Sequence, residues 1–371
     1  MSGPSPAPPA SCKGRWLAVA LVLALAGFTF LCWRDASHPP VRPVGGGTFV
    51  GKDVDGRLVY VHLFELRTGW QGWLYREGWG RTEWFITKSR THSWKETFHG
   101  RESDDGKAPP VSTVTSTDNP RQLNATLPRT NGWASDTANL MQQFEHVCFR
   151  RLAGMRFGRV GGTREYRAQF QRLPGTNAFL TALSQEILVQ CEAGATEFNK
   201  EAFEFWEFMV RSHELPGFNQ YEFKANWQVR LLTTNLASFS VWSHDATGGN
   251  GNHSNWSGEN FIATGSGLRP LKIPELFRED YGWEKELRVR CVPKLKAASA
   301  PRPEAVFDKD VELDVFTLSP TGLQIYFNPY AIASGADGEF VVHFDYAELK
   351  DLLRTNGPAL FLPHAPAEAA K

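Results

Sequence analysis

No excess of either charge runs through this sequence: 40 lysines and arginines stand against 40 aspartates and glutamates, with no long run of one sign. A nucleic-acid surface or a polybasic membrane arm would need such an excess, so nucleic acid is not an expected partner. Cysteine is scarce too. Of the five present, only Cys148, Cys191 and Cys291 lie beyond residue 33, and their wide spacing builds neither a disulfide framework nor a zinc site. One disulfide with a thiol left over, or three buried thiols, are the alternatives that spacing leaves open. Nucleophile elbows, Walker loops, zinc-binding helices and calcium loops are all missing at the required spacings. The sequence therefore offers no catalytic residue, no cofactor-binding residue and no metal ligand set, and the expectation is a protein that is not an enzyme.

What is present first is an uncharged run, Trp16 to Trp33 (WLAVALVLALAGFTFLCW). A bilayer core of about 30 Å asks for about 17–25 such residues in a helix. Lys13 and Arg15 flank it on the N-terminal side, whereas Arg34 on the far side is offset by Asp35. That bias keeps the tail 1–15 in the cytoplasm and exports the remainder. Cleavage after Ala24-Leu25-Ala26 is a rival reading, but it would strand Gly27 to Trp33 as an apolar new terminus. Lipidation at Cys32 would want small residues just before it, where Thr29, Phe30 and Leu31 stand. The expected location is thus a membrane: a single-pass protein, N-terminus cytoplasmic, with the bulk of the chain extracytoplasmic.

Beyond the anchor at 16–33 the composition shifts in blocks. Residues 34–47 are Pro-rich and then Gly-rich, as in a stalk. Residues 48–100 form an aromatic-rich β domain: Arg57 to Leu66, Gln71 to Arg76, Glu83 to Lys88 and Ser93 to Phe98 have strand length and strand-favouring residues, with turn signals such as Asp55-Gly56 between them. Trp70, Trp73, Trp79, Trp84 and Trp94 cluster here. Sugar stacking is one use for them, but filling a small core with large rings is the simpler one. Residues 101–133 are rich in Ser, Thr, Pro, Asn and Asp and read as a linker.

The last block, 134–371, begins with helical spacing. Helices are predicted from Ser135 or Asp136 to about Leu152, from Thr176 to Gln190 and from Glu197 to Arg211. Glu201, Glu204 and Glu207 recur every three residues in the third, which a solvated helix face explains without chemistry. From Gln220 the pattern turns to strands: Phe223 to Thr234, Leu236 to Trp242, Glu259 to Thr264, Asp310 to Leu318, Gly322 to Phe327 and Gly338 to Phe344, closed by a short helix from Tyr346 to Leu353. The expected fold class is α+β: an N-terminal transmembrane helix, a small antiparallel β domain, then helices packed on an antiparallel sheet.

One stretch gathers polar side chains. His244, Asp245, Asn250, Asn252, His253, Asn255 and Trp256 lie in and around a glycine-rich loop. Two histidines and an aspartate suit a metal, but no further ligand recurs at fixed spacing. A loop that shapes one end of the sheet, or one that contacts a partner, fits the composition better. His343 and Asp345 alternate with apolar neighbours and are expected to face solvent, while Tyr330 and Tyr346 are expected to be packed.

The run from Leu318 to Leu352 (LSPTGLQIYFNPYAIASGADGEFVVHFDYAELKDL) has a Pro-Tyr pair at 329–330, Ile332-Ala333, Gly338, a strand, and Tyr346-x-Glu348-Leu349-Lys350. Upstream, Leu231 to Phe277 has a strand, a glycine pair with a His, a strand with Asn260-Phe261, and a Leu271-x-x-x-x-Leu276-Phe277 segment. Together these resemble the RsiV/PdaC-type extracytoplasmic domain over roughly Ala178 to Leu353, with the loop histidine displaced by two residues. The resemblance implies a non-enzymatic ectodomain that recognises a protein (lysozyme-like) or a peptidoglycan component. The cytoplasmic piece, Met1 to Arg15, is too short to hold a sigma factor as an RsiV-type tail would. An envelope hydrolase or deacetylase built on the histidine loop is the alternative.

Overall fold

The computed structural model describes residues 41–66, 69–77, 82–87, 95–99, 111–117, 119–128, 135–157, 160–173, 177–212, 220–247, 253–265 and 267–354. The apolar run 16–33 lies outside them. Among the described residues no helix is long and apolar enough to cross a membrane. The chain divides after Arg42, and the unit Pro43–Lys371 carries every element except the first two residues of the first strand.

The first half is a run of antiparallel strands: β1 (Val41–Lys52), β2 (Leu58–Glu65), β3 (Trp70–Arg76), β4 (Thr82–Thr87), β5 (Lys95–His99), β6 (Val111–Ser116), β7 (Gln122–Pro128) and β8 (Ser135–Phe157). Alternation explains the arrangement. Val59, Val61 and Leu63 of β2 point to one side and join Phe49, Leu74, Phe85, Val114, Leu123 and Leu140 in one apolar interior. Each fully buried side chain of this size contributes about 1.5–3 kcal/mol. Tyr60, His62 and Phe64 point to the other side. The turn from β1 to β2 is held by Asp53, whose Oδ1 accepts from the backbone N–H groups of Asp55 and Arg57 at 2.9 Å, while its Oδ2 meets the buried Arg76 guanidinium.

Two expectations fail in this half. The linker 101–133 contains β6 and β7, paired to each other and, through β7, to β8. The helix expected from 135 to 152 is the strand β8. Burial alternates along it, with Thr137, Asn139 and Met141 exposed and Ala138 and Leu140 buried. Leu140, Phe144 and Cys148 are four apart, which satisfies a helix stripe and a strand face alike. Pairing with β7 over 135–141 and with the next strand over 146–157 decides for the strand.

β9 (Val160–Gln171) returns antiparallel to β8, and α1 (Ala178–Arg211) then crosses to β10 (Gln220–Leu232), which lies parallel to β9. The sheet is therefore not wholly antiparallel, because a 34-residue helix carries the chain back to its starting end. The two helices expected at 176–190 and 197–211 are one. Asn177 caps it by accepting from the Leu180 N–H at 2.8 Å. A stripe of Leu183, Ile187, Cys191, Ala195, Phe198, Ala202 and Trp206 faces the sheet. Glu201 and Glu204 are exposed, as a solvated face requires.

β11 (Leu236–Thr247), β12 (His253–Thr264) and β13 (Gly267–Pro270) extend this sheet to thirteen described strands. After α2 (Trp283–Ala297), the strands β14 (Phe316–Leu318), β15 (Gly322–Phe327) and β16 (Phe340–Asp345) form a second sheet. The strand expected over 310–318 shrinks to its last three residues, and the closing helix is a single 3₁₀ turn, Tyr346–Leu349. Leu287, Cys291 and Leu295 of α2 pack on this second sheet. Cys148, Cys191 and Cys291 are free and buried, and burial pushes the Cys191 and Cys291 thiols up to about 12.

The two sheets meet where β12 passes under β14. A Cβ on Gly258 would fall inside the van der Waals radius of the Phe316 backbone carbonyl, and backbone cannot swing aside. Gly258→Ala is therefore expected to cost about 1–3 kcal/mol, the range of overpacking, read as a lowered denaturant midpoint with an unchanged slope.

Candidate functional site

Strand register lines up side chains in rows across one face of β8–β12. The first row is Cys148, Gln169, Asn226, Trp242 and Trp256. β2 and β3 lie over it: Gln169 accepts from the Glu65 N–H at 2.9 Å and donates to the Glu65 carbonyl at 3.0 Å, and the Trp73 ring stands 5.3 Å from that of Trp242. Deeper under this cover Thr48 Oγ1 lies 3.0 Å from His62 Nδ1 and 2.9 Å from His146 Nε2. Burial pushes His146 down to about 3 and holds His62 well below the usual range, so both imidazoles stay neutral.

The next row, one step beyond the cover, is Arg150, Arg167, Lys224, His244 and Ser254. The row after that contains Leu152, Glu165, Glu222 and Ala246. Glu165 Oε1 receives Arg150 Nε at 2.8 Å and Arg167 Nη2 at 2.7 Å, and Lys224 Nζ lies 2.8 Å from Glu222. Burial by itself would raise the Glu165 pKa, but the hydrogen bonds from the two arginines hold the carboxyl below the usual range. His244 stacks on Trp242 with centroids 5.6 Å apart, and its Nδ1 is 3.2 Å from Ser254 Oγ. Its pKa is lowered by burial first and by Lys224 second, with Glu222 opposing.

Of the seven residues singled out in the glycine-rich loop, the four described with their side chains do not share one face. Asn250 and Asn252 lie outside the described residues. Successive residues of a strand face opposite ways, so His244 and Trp256 belong to the polar face, while Asp245 belongs to the other, as do Ser243 and Asn255, paired to each other. His253, described by its backbone alone, pairs in register with Asp245. An acid-base or metal site needs His244 and Asp245 on one side, and the strand puts them on two. Among the described residues no three His, Cys, Asp or Glu side chains converge as metal ligands. Asn255 is exposed, and Trp256 is buried with its backbone gripped by Asn328: Oδ1 accepts from the Trp256 N–H at 2.7 Å and Nδ2 donates to its carbonyl at 2.8 Å.

Two further placements differ from expectation. His343 is buried against Gly322, with Nε2 3.0 Å from Asp345 Oδ1. Tyr330 is 63% exposed and sits at φ +73°. Tyr346 is packed as expected, donating to the Ser319 carbonyl at 2.9 Å. The polar row of Arg150, Arg167 and Lys224 was not singled out from sequence. Its signal is only the alternation in Arg164-Glu165-Tyr166-Arg167 and Glu222-Phe223-Lys224, which says that these side chains share a face with something and not with each other.

Residues 275–347 match the profile of a family described as protein of unknown function (DUF3298). No curated protein matches the chain. Two crystal structures of DUF3298 family proteins are similar at low identity. One, from Bacteroides fragilis, is 16% identical with a TM-score of 0.42, and the match covers 59% of this chain and 97% of that one. The other, from Pseudomonas aeruginosa, is 12% identical with a TM-score of 0.37, covering 56% and 94%.

Two titrations test the electrostatics. Lys224→Met removes a positive charge beside His244, so the imidazole midpoint followed by NMR moves up toward the ordinary histidine value. On the opposite face Glu259 is pushed up to about 7 from 4.5, by burial first and by Glu186 second. A carboxyl held protonated by the fold favours the folded state fully below pH 4.5 and loses that contribution as pH rises to about 7. Glu259→Gln is expected to raise the melting temperature above pH 7 and leave it nearly unchanged below pH 4.5. An equal difference at every pH rejects the burial account.

Proposed function

We propose that the protein is a non-enzymatic binding protein of the bacterial envelope, with an extracytoplasmic domain of the RsiV/PdaC type. It is held at the membrane as a single-pass protein by the apolar run 16–33 and recognises a protein ligand or a peptidoglycan component. The contact region is the end of the β11–β12 hairpin, with His244, Asp245 and Asn255. The observation that carries this reading is the double hydrogen bond from Asn328 to the Trp256 backbone. It fixes β12 on the second sheet, so the strand positions around His244 and Asn255 are presented with little conformational freedom left to lose on binding. The opposed faces of His244 and Asp245 support contact over chemistry, since each side presents its own polar groups to a surface laid across the edge.

The test is capture of peptidoglycan fragments, and separately of lysozyme, by the full-length protein in detergent. The double variant His244→Ala/Asn255→Ala is expected to weaken whichever interaction is found by roughly tenfold, about 1.4 kcal/mol, with no change in melting temperature beyond a few degrees. Undiminished capture rejects the hairpin end as the contact. Recovery of the full-length product in the soluble fraction of cells rejects the anchor.

A further inference from the structure

Arg150, Arg167 and Lys224 stand directly opposite one another on three adjacent strands, β8, β9 and β10. Neighbouring strands are about 4.8 Å apart, and like charges placed face to face across strands are destabilising. Nothing in the packing of this sheet asks for three cations abreast: the apolar face is already filled by α1, and the row lies just beyond the cover of β2 and β3. Among the described residues the counter-charge is incomplete. Glu165 answers two arginines and Glu222 answers Lys224, so the three cations face two carboxylates.

The geometry of Glu165 is the second observation. Three N–H groups, Arg150 Nε at 2.8 Å, Arg167 Nη2 at 2.7 Å and Arg167 Nε at 3.2 Å, converge on its single oxygen Oε1. Arg150 bonds through Nε alone, so its outer edge, with the two Nη groups, is uncommitted among the described residues. Side-chain exposure falls from 43% at Arg150 to 22% at Arg167 and 26% at Lys224, with Glu165 at 18%. The outer cation is therefore reachable and the inner two are seated. Trp242 stands one row behind, half-buried, and gives the ledge an apolar back wall.

We infer that this row is a docking ledge for an acidic peptide segment, whose side-chain carboxylate takes the place that Glu165 occupies between Arg150 and Arg167, with Lys224 accepting a second carboxylate. Glu165 is the internal stand-in for the ligand: it shows that the arginine pair binds a carboxylate oxygen, and it offsets one of the two charges while the ledge is empty. Paired arginine forks favour a planar carboxylate, and the excess of one positive charge selects an anionic partner over a neutral one. The ledge adjoins the hairpin end where Lys224 stands opposite His244, but its carboxylate-binding arginines lie on β8 and β9 and do not depend on what that end contacts.

The test is the fluorescence anisotropy of labelled hexaglutamate titrated with the full-length protein in detergent at low salt. Glu165→Gln removes the competing carboxylate and is expected to tighten binding about tenfold, whereas Arg150→Gln weakens it severalfold and Arg150→Gln/Arg167→Gln by tenfold or more. Affinity falls as sodium chloride rises, because exposed charges are screened. Arg150 is the most exposed of the row, so its single variant reads out binding if the double variant fails to fold. Unchanged or weaker binding by Glu165→Gln overturns the proposal. So does inorganic phosphate that occupies the ledge in preference to the peptide, or affinity indifferent to both arginines.

Discussion

The guanidinium of Arg230 is wholly buried at the place where three sheet surfaces meet, and the architecture depends on how it is satisfied. Its Nε donates to Ser240 Oγ at 2.8 Å, its Nη2 to Gln228 Oε1 at 3.0 Å, and its plane lies 4.2 Å from the centre of the Tyr75 ring. Ser240 and Gln228 belong to the large sheet's second half, and Tyr75 to the outer face of the strand run β1–β8. Tyr326 and Gln324 of the second sheet lie in the same polar layer, bonded to each other and to Thr317. A charge out of water must be held by several dipoles at once. Here the dipoles come from its own hairpin, β10–β11, and the ring from β3, so the cation ties β3 to that hairpin more sharply than apolar packing would.

The polar layer also explains why the sheet has two unlike faces. On one, Phe149, Tyr166, Phe223 and Phe239 meet the apolar stripe of α1. On the other, Gln171, Asn226, Gln228 and Arg230 are covered by the outer side of β2 and β3, which carries Tyr60, His62, Phe64, Trp73 and Tyr75. The cover stops at Trp242. Beyond it the same face continues as Arg150, Arg167, Lys224 and His244, partly exposed and paired with Glu165, Glu222 and Ser254. The candidate surfaces arise where an internal polar layer runs out into solvent.

Local elements were legible where one signal was enough. β2, β3 and β15 fall where alternation places them, because their own residues and flanking turns agree. β8 was not legible: Leu140, Phe144 and Cys148 fit both periods, and only its long-range partners, β7 and β9, choose between them. The strands β6 and β7 were hidden by Ser and Thr, which suit a β edge as well as a loop. His343 alternates with apolar neighbours as a solvent-facing residue would, yet it is buried against Gly322 of the neighbouring strand and bonded to Asp345 two residues along its own. His244 and Asp245 are neighbours in the chain and not in space, since strand alternation sends their side chains apart.

Composition and spacing alone determined a charge-balanced chain with an uncharged N-terminal run and strand-rich segments beyond it, and they located turns such as Asp55-Gly56, because turns and amphipathic periods are written in neighbouring residues. The tertiary structure alone decided that β8 links both halves, that Arg230 lies at their junction, and that Arg150, Arg167 and Lys224 stand abreast. Those facts depend on register between strands tens of residues apart. Register is set by the sum of many weak contacts across the sheet, and no single segment of sequence contains that sum.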